Sequence, residues 1–195
     1  MGKIFCVMGK SATGKDTIYN KLLENKELDL KQIVPYTTRP IRDHEVSGRE
    51  YHFCSEEDVV RLEKEGRIVE LRSYNTVYGI WKYFTVNDGS ISLDTQNYLL
   101  IGTLEGYVKI RDYFGENKVV PIYVEIEDGE RLLRAIAREQ KQDIPKYEEM
   151  CRRFLADAGD FSEEKLADAK INRRFQNINL EGVIEEITEF IKKQL

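Results

Sequence analysis

A chain of 195 residues, 41% hydrophobic and 33% charged, has the composition of an ordinary globular domain and the length to bury one sizeable core. Its formal net charge of −5 excludes bulk attraction to nucleic acid or anionic lipid, so a phosphate-bearing partner has to be met by a local basic cluster. Three scattered cysteines (Cys6, Cys54, Cys151) and two histidines (His44, His52) suggest neither a disulfide framework nor a structural zinc.

The apolar run Ile4-Phe5-Cys6-Val7-Met8 reads as a core strand. It leaves no room for a signal peptide, and no apolar run approaches membrane-spanning length, so a reducing cytoplasm is the expected setting. Gly9-Lys10-Ser11-Ala12-Thr13-Gly14-Lys15 follows, a G-x-x-x-x-G-K pattern placed between that strand and an amphipathic helix opening near Ile18. Glycines let backbone N–H groups turn inward onto a phosphate chain. The helix N-terminus adds a partial positive charge, and Lys15 adds a mobile full one. The residue after the lysine is usually Ser or Thr, whose hydroxyl holds Mg²⁺. Here Asp16 and then Thr17 are the oxygen donors available for that ion. Residues 9–17 are therefore the expected nucleotide phosphate site.

Residues 32–34 read as a short buried strand running into the loop Pro35-Tyr36-Thr37-Thr38-Arg39-Pro40-Ile41-Arg42, with two arginines three apart. Residues 51–54 read as another short strand, and Ser55-Glu56-Glu57-Asp58 as the start of a helix ending at Gly66. Residues 67–74 alternate like a strand with one wet face shared by Glu70 and Arg72. Residues 81–86 and 91–93 flank Asn87-Asp88-Gly89-Ser90 and predict a hairpin. Core strands are expected at 98–102 and 119–126 with a helix at 104–113 between them. Asp128 is the expected cap of a helix over 131–140, with Leu132, Leu133 and Ile136 as its inner stripe. A polar, proline-broken run at 141–146 leads to a helix over 147–157 that carries Arg152 and Arg153. A last short strand at 173–177 precedes an amphipathic helix over 180–194, burying Val183, Ile184, Ile187, Phe190 and Ile191. Strands alternating with helices behind a phosphate loop predict an α/β fold whose parallel sheet is covered on both faces, with a β-rich lobe inserted over the site.

Thr37-Thr38-Arg39-Pro40-Ile41-Arg42, then Gly48, then Tyr51-His52-Phe53 resembles the GMP-binding segment of guanylate kinases, whose usual form is T-T-R-P-x-R, an acidic-glycine turn and Y-x-F. Glu70 in a strand and Tyr78-Gly79 after it match the same family in order and spacing. The resemblance covers residues 1 to about 80 and resumes in the arginine-bearing helices and the last helix. It implies a P-loop NTPase core with a parallel five-stranded sheet at about 1–33, 97–137 and 154–195. To this it adds an NMP-binding lobe at about 34–85 and a lid at about 138–150. The implied activity is Mg²⁺-dependent transfer from ATP to GMP by a monomer or homodimer, with no nucleic acid or membrane partner.

The site residues carried over are Lys15, Arg39, Arg138 and Arg153 for catalysis, and residues 9–17 with Arg134 for ATP. Thr37, Arg39, Arg42, Tyr51, Glu70, Tyr78 and Thr103 are carried over for GMP. The chemistry is consistent, because a dianionic phosphate calls for fork-shaped guanidinium donors and phenol hydroxyls, and a carboxylate such as Glu70 can accept from guanine N1–H and N2–H. For Arg134, Arg138 and Arg153, surface pairing with Glu130 or Glu149 is the alternative, and Arg152 is not separable from Arg153 by sequence. The chain departs from the family pattern at Pro35, at Ile80 after Tyr-Gly, and at Ile101-Gly102-Thr103 in place of D-x-D. Missing hydroxyls at the first two positions remove donors expected at guanine O6, so base reading rests mainly on Glu70. Two other classes stay open: a kinase of another small phosphate such as a ribose bisphosphate, and a non-catalytic binding module of the same fold.

Overall fold

A computed structural model describes residues 2–76 and 79–195. The central strand β1 (Ile4–Met8) is buried along its whole length. It pairs in parallel with β7 (Asn97–Ile101) on one side and β8 (Val119–Glu125) on the other. The edges are β2 (Leu30–Gln32) and β9 (Arg174–Gln176), also parallel, giving a five-stranded sheet in the order β2-β7-β1-β8-β9. Alternation along β1 divides the core in two. Phe5 and Val7 face α1 (Lys15–Glu24) and α7 (Leu180–Lys192) through Ile18, Leu22, Val183, Ile187 and Ile191. Ile4, Cys6 and Met8 face α3 (Leu104–Phe114) through Leu104, Tyr107 and Ile110. Both faces of the parallel sheet are therefore apolar and covered, as the near-continuous apolar strands require. No helix among the described residues is long and apolar enough to cross a membrane.

A second sheet has the order β4-β3-β6-β5, made of β3 (Tyr36–Thr37), β4 (His52–Phe53), β5 (Ile68–Thr76) and β6 (Gly79–Val86). It carries its own small core, where Phe84 and Val86 meet Val59 and Leu62 of α2 (Glu56–Lys64). That helix starts on a capping box in which Ser55 and Asp58 each bond the other's backbone N–H.

Four sequence expectations need correction. β6 pairs antiparallel with β5, not with residues 91–93. After β6 the Asn87 and Asp88 side chains accept from the backbone of Gly89 (3.4 Å) and Ser90 (3.0 Å), Asx turns that lead the chain away. Residues 90–93 then satisfy their backbone elsewhere: Tyr98 bonds Ser90 O and Ser92 N at 2.9 Å, and Gly2 N donates to Leu93 O at 2.6 Å. The strand expected at 32–34 is the exposed edge strand β2, with only Ile33 beyond its end fully buried.

Helix α4 (Asp128–Glu139) is capped by Glu127, whose carboxylate accepts from Glu130 N at 3.1 Å; Asp128 lies inside the first turn. Its inward face is Arg131 and Ala135, while Leu133 is 63% exposed. The inversion has a plain cause: α4 packs on α5 (Tyr147–Asp160) and the phosphate loop, which offer Asp157 and the Ser11 carbonyl beside the Phe154 ring, partners that suit a guanidinium. A short helix capped by Ser162, α6 (Glu163–Asp168), was not foreseen at all; its Leu166 closes the α3 face of the core.

Candidate active site

The loop between β1 and α1 is held from within by neutral hydrogen bonds. The Thr13 hydroxyl is buried and donates to Lys10 O at 2.9 Å, and Asn177 Nδ2 donates to Thr13 O at 2.7 Å. Gly14 caps α1 at φ 85°, and a Cβ there would strike the Asn177 amide, so both conformation and space require glycine. At Gly9 a Cβ would run into the carbonyl oxygen of Val124 on β8. Lys15 stands at the first position of α1 with Nζ 3.3 Å from the carboxylate of Asp16, itself 79% exposed. Thr17 is exposed on the same turn.

Helices α4 and α5 lean on this loop. Arg153 Nη2 donates to Ser11 Oγ at 3.2 Å, whereas Arg152 turns to Glu149 (2.7 and 2.8 Å). Adjacent residues on a helix point about 100° apart, which separates the two arginines that the sequence could not. Arg138 is half exposed, 3.7 Å from Glu139, and lines one cleft with Ser11, Met150 and Arg153. Arg134 Nη2 donates to Asn177 O at 3.1 Å beside Gly14. Sequence reasoning missed the group beneath them. Arg131, 1% exposed, donates to Asp128 (2.9 Å), Asp157 (3.2 Å) and Ser11 O (3.2 Å), and its guanidinium lies 4.4 Å from the Phe154 ring centroid. Asp157 also accepts the Ser11 backbone N–H at 2.7 Å. A cation buried at a surface-helix position carries no periodic signal, because that stripe is expected to be apolar.

In the second sheet, Thr37 is buried and committed to the protein: its hydroxyl donates to Lys82 O (2.8 Å) and accepts from Arg39 N (3.1 Å). Arg39 is 3% exposed. Its Nη2 donates to both oxygens of Glu45 (2.8 and 3.0 Å), its Nη1 donates to Pro40 O (2.8 Å), and it lies over the rings of Tyr51 (5.6 Å) and Phe53 (5.5 Å). The Arg39 hydrogen bond holds the Glu45 carboxyl below the usual carboxylate range against a smaller effect of burial, and the Arg42 backbone N–H (2.8 Å) adds to it. The Arg42 side chain is exposed. Tyr51 packs edge-on to Tyr83 at 5.7 Å, and burial pushes its phenol up, helped by Tyr83. Tyr78 lies outside the described residues.

The wet face expected for Glu70 is not wet. Glu70 is 3% exposed and sits in a cleft between the two sheets, lined by Pro35, Arg72, Thr85, Ile101 and Gly102. The cause is the packing of α3 against β5, which brings Thr103 and Gly106 over the strand. Arg72 donates to Glu70 through Nε (2.9 Å) and Nη2 (3.3 Å), and to Thr103 Oγ1 through Nη1 (3.1 Å). Thr85 Oγ1 donates to Glu70 at 3.0 Å. Behind them the Cys6 thiol is pushed up to about 12, chiefly by burial, with Arg72 pulling it down. Ile80 is not among the lining residues; it stands exposed on β6.

A sequence model of the guanylate kinase family matches residues 1–193. The chain is 30% identical over 197 residues to a guanylate kinase of Caldanaerobacter subterraneus subsp. tengcongensis, covering 97% of this chain and 86% of that one. It is 28% identical over 194 residues to a guanylate kinase of Porphyromonas gingivalis, covering 98% and 97%. Among solved structures, the guanylate kinase from Anaplasma phagocytophilum superposes with a TM-score of 0.65 at 22% identity, over 99% of this chain and 86% of that one. At that identity the superposition speaks for the fold.

Proposed function

The chain belongs to the guanylate kinase family, and from that premise we propose that it transfers the γ-phosphoryl group of ATP to GMP at the junction of the phosphate loop with α4, α5 and the Arg39 sheet. The observation that carries the proposal is the convergence on Ser11. Arg153 is in hydrogen-bond contact with Ser11 of the G-x-x-x-x-G-K loop and Arg138 lines the same cleft as Ser11, so two cations stand beside a loop that carries a third, Lys15.

Phosphoryl transfer asks a protein for positioning and for positive charge on the equatorial oxygens, with little covalent chemistry. Lys15 and the inward backbone of residues 9–14 hold the donor phosphates, and Arg134 steadies the loop through Asn177. Arg138 and Arg153 stabilise the charge that moves during transfer. Arg39, Arg42, Tyr51 and Tyr78 take the acceptor phosphate. Arg39 is already aimed by Glu45, so it costs little rotamer freedom when the dianion arrives. Residues 141–146 are exposed throughout and form the lid of the proposed division into core, lobe and lid. Their closure excludes water, which would otherwise hydrolyse ATP.

Asp16 and Thr17 fit a magnesium ion that accompanies ATP. They offer one exposed carboxylate and one hydroxyl, hard oxygen donors that leave the other positions to phosphate and water. Among the described residues no three acidic, histidine or cysteine side chains cluster to hold a metal by themselves. When bound, the ion neutralises charge on the phosphates.

A coupled ADP-release assay across GMP, dGMP, AMP, CMP, UMP and a ribose bisphosphate tests the proposal. GMP and dGMP are expected to be used well above the rest. Turnover of the ribose bisphosphate alone, or of nothing, overturns it.

A further inference from the structure

The Glu70 cleft permits a count of hydrogen-bonding capacity, and the count bears on which bases the site can distinguish. A carboxylate has about four lone-pair positions on its two oxygens. On Glu70, Oε1 accepts from Thr85 Oγ1 (3.0 Å) and Arg72 Nη2 (3.3 Å), and Oε2 accepts from Arg72 Nε (2.9 Å). One position, on Oε2, is left. Guanine presents two donors on that edge, N1–H and the 2-amino group, and a carboxylate that reads both has to offer one oxygen to each.

The neighbouring hydroxyl is committed the other way. Thr103 Oγ1 accepts from Gly106 N (3.1 Å) and from Arg72 Nη1 (3.1 Å), so both of its lone pairs are taken and its proton is its remaining capacity. Thr103 therefore stands as a donor beside the cleft, next in chain to Gly102 and bonded to Arg72, both of which line it, whereas the Pro35 and Ile101 side chains supply none. The cleft offers one acceptor beside at least one donor, which matches the N1–H and O6 of a 6-oxopurine. Among the described side chains that line it, only Thr85 Oγ1 keeps further lone pairs, and that residue is 1% exposed with its hydroxyl turned to Glu70, so no further acceptor is presented to a 2-amino group.

We propose that Arg72 determines the acceptor specificity of this chain: by occupying Glu70 it leaves the 2-amino group of guanine unread, so that inosine monophosphate is phosphorylated about as readily as GMP. The inference rests on the guanylate kinase reading of the site, with Glu70 at the base. Arg72 acts here through Glu70 and Thr103 and is a positioning residue.

The test is the ratio of kcat/KM for GMP over inosine monophosphate, measured first in the unaltered protein and then in Arg72→Ala. In the unaltered protein the ratio is expected to lie within about tenfold of one, where a site that hydrogen-bonds the distinguishing group reaches about 10⁴-fold. A preference for GMP above about tenfold, with GMP a good substrate, overturns the inference and leaves the kinase reading standing. Turnover of neither purine monophosphate overturns the reading and the inference with it. Arg72→Ala frees two acceptor positions on Glu70 and is expected to raise the preference for GMP at least tenfold. An unchanged ratio in a variant that melts like the parent overturns the role of Arg72. If the variant does not fold, the ratio in the unaltered protein decides.

Discussion

The phosphate loop and the Glu70 cleft are both parts of the proposed active site, yet they are held by different means. The glycine turn of the loop is fixed by backbone conformation and neutral hydrogen bonds from Thr13 and Asn177, with charged partners only at Ser11, which leaves the charge of Lys15 for a ligand. In the cleft the charged groups hold one another: Glu70, Arg72, Thr85 and Thr103 are bonded before any substrate arrives. A site of the first kind can change little without losing its phosphate. A site of the second kind can be retuned by one side chain, because the partner of a buried carboxylate decides what the carboxylate still has to offer.

The sharpest way to break this comparison is at Lys15. Replacing it with Ala is expected to lower kcat by about 10³-fold, close to 4 kcal/mol of transition-state stabilisation. The melting temperature should not move, since the nearest charge is an exposed Asp16 carboxylate. A variant keeping more than about a tenth of the parental rate would mean that the loop is not where transfer occurs.

The second test asks whether the loop side is as free of buried charge pairs as the motif suggests. Arg131 and Asp157 are the exception, a cation beneath the loop bonded to an aspartate that also takes the Ser11 N–H. Asp157→Ala leaves Arg131 buried with Asp128 as its remaining carboxylate. The expected loss is about 3 kcal/mol in the unfolding free energy from urea titration. A loss below about 1 kcal/mol would show that Asp128 alone satisfies Arg131.

These pairs also explain what was legible in the sequence. The parallel core could be read because Ile4 to Met8, 98–101 and 119–124 are runs without a charged residue, and a strand buried on both faces leaves no other pattern. The phosphate loop could be read because order and spacing alone specify a backbone cradle. The hairpin at 81–93 was misplaced because an Asp-Gly pair signals a turn without saying which strands it joins; the Tyr98 hydroxyl settled that from outside the segment. Arg131 and Glu45 escaped notice for a common reason: each is defined by a partner that folding or a local turn brings to it, and one charged residue in a helix or loop looks like any other until that partner is known. Arg72 was legible on the face of Glu70, but the burial by α3 that turns the two into a closed pair was not.

The third test separates the two arginines proposed to take the acceptor phosphate. Arg42 is exposed and its side chain supports no fold contact comparable to the Arg39–Glu45 pair. Arg42→Ala is therefore expected to raise KM for GMP about tenfold, near 1.4 kcal/mol, with KM for ATP and the melting temperature unchanged. An equal rise for both substrates would remove Arg42 from the acceptor side.

The smallest expected effect concerns Glu45, which holds Arg39 through both of its carboxylate oxygens. Its carboxyl is held below the ordinary value of 4.5 by the Arg39 hydrogen bond, against the weaker pull of burial. A depressed folded-state value means that the unfolded chain binds the proton more readily. The stabilisation is thus fully present above about pH 4.5, and it fades as pH falls through the lower folded value. Glu50, Asp58, Glu116 and Glu163 are shifted the same way, so acid destabilisation of the whole protein cannot isolate one pair. The difference between the parent and Glu45→Gln can. At pH 7 the parent should be more stable by about 1 kcal/mol, the scale of a partly screened ion pair, and the two denaturation midpoints should converge below pH 4. A difference that stays constant from pH 7 to pH 3 would mean that Glu45 contributes through its shape and neutral hydrogen bonds. Arg39 would then be aimed by Pro40 and the Tyr51 and Phe53 rings instead.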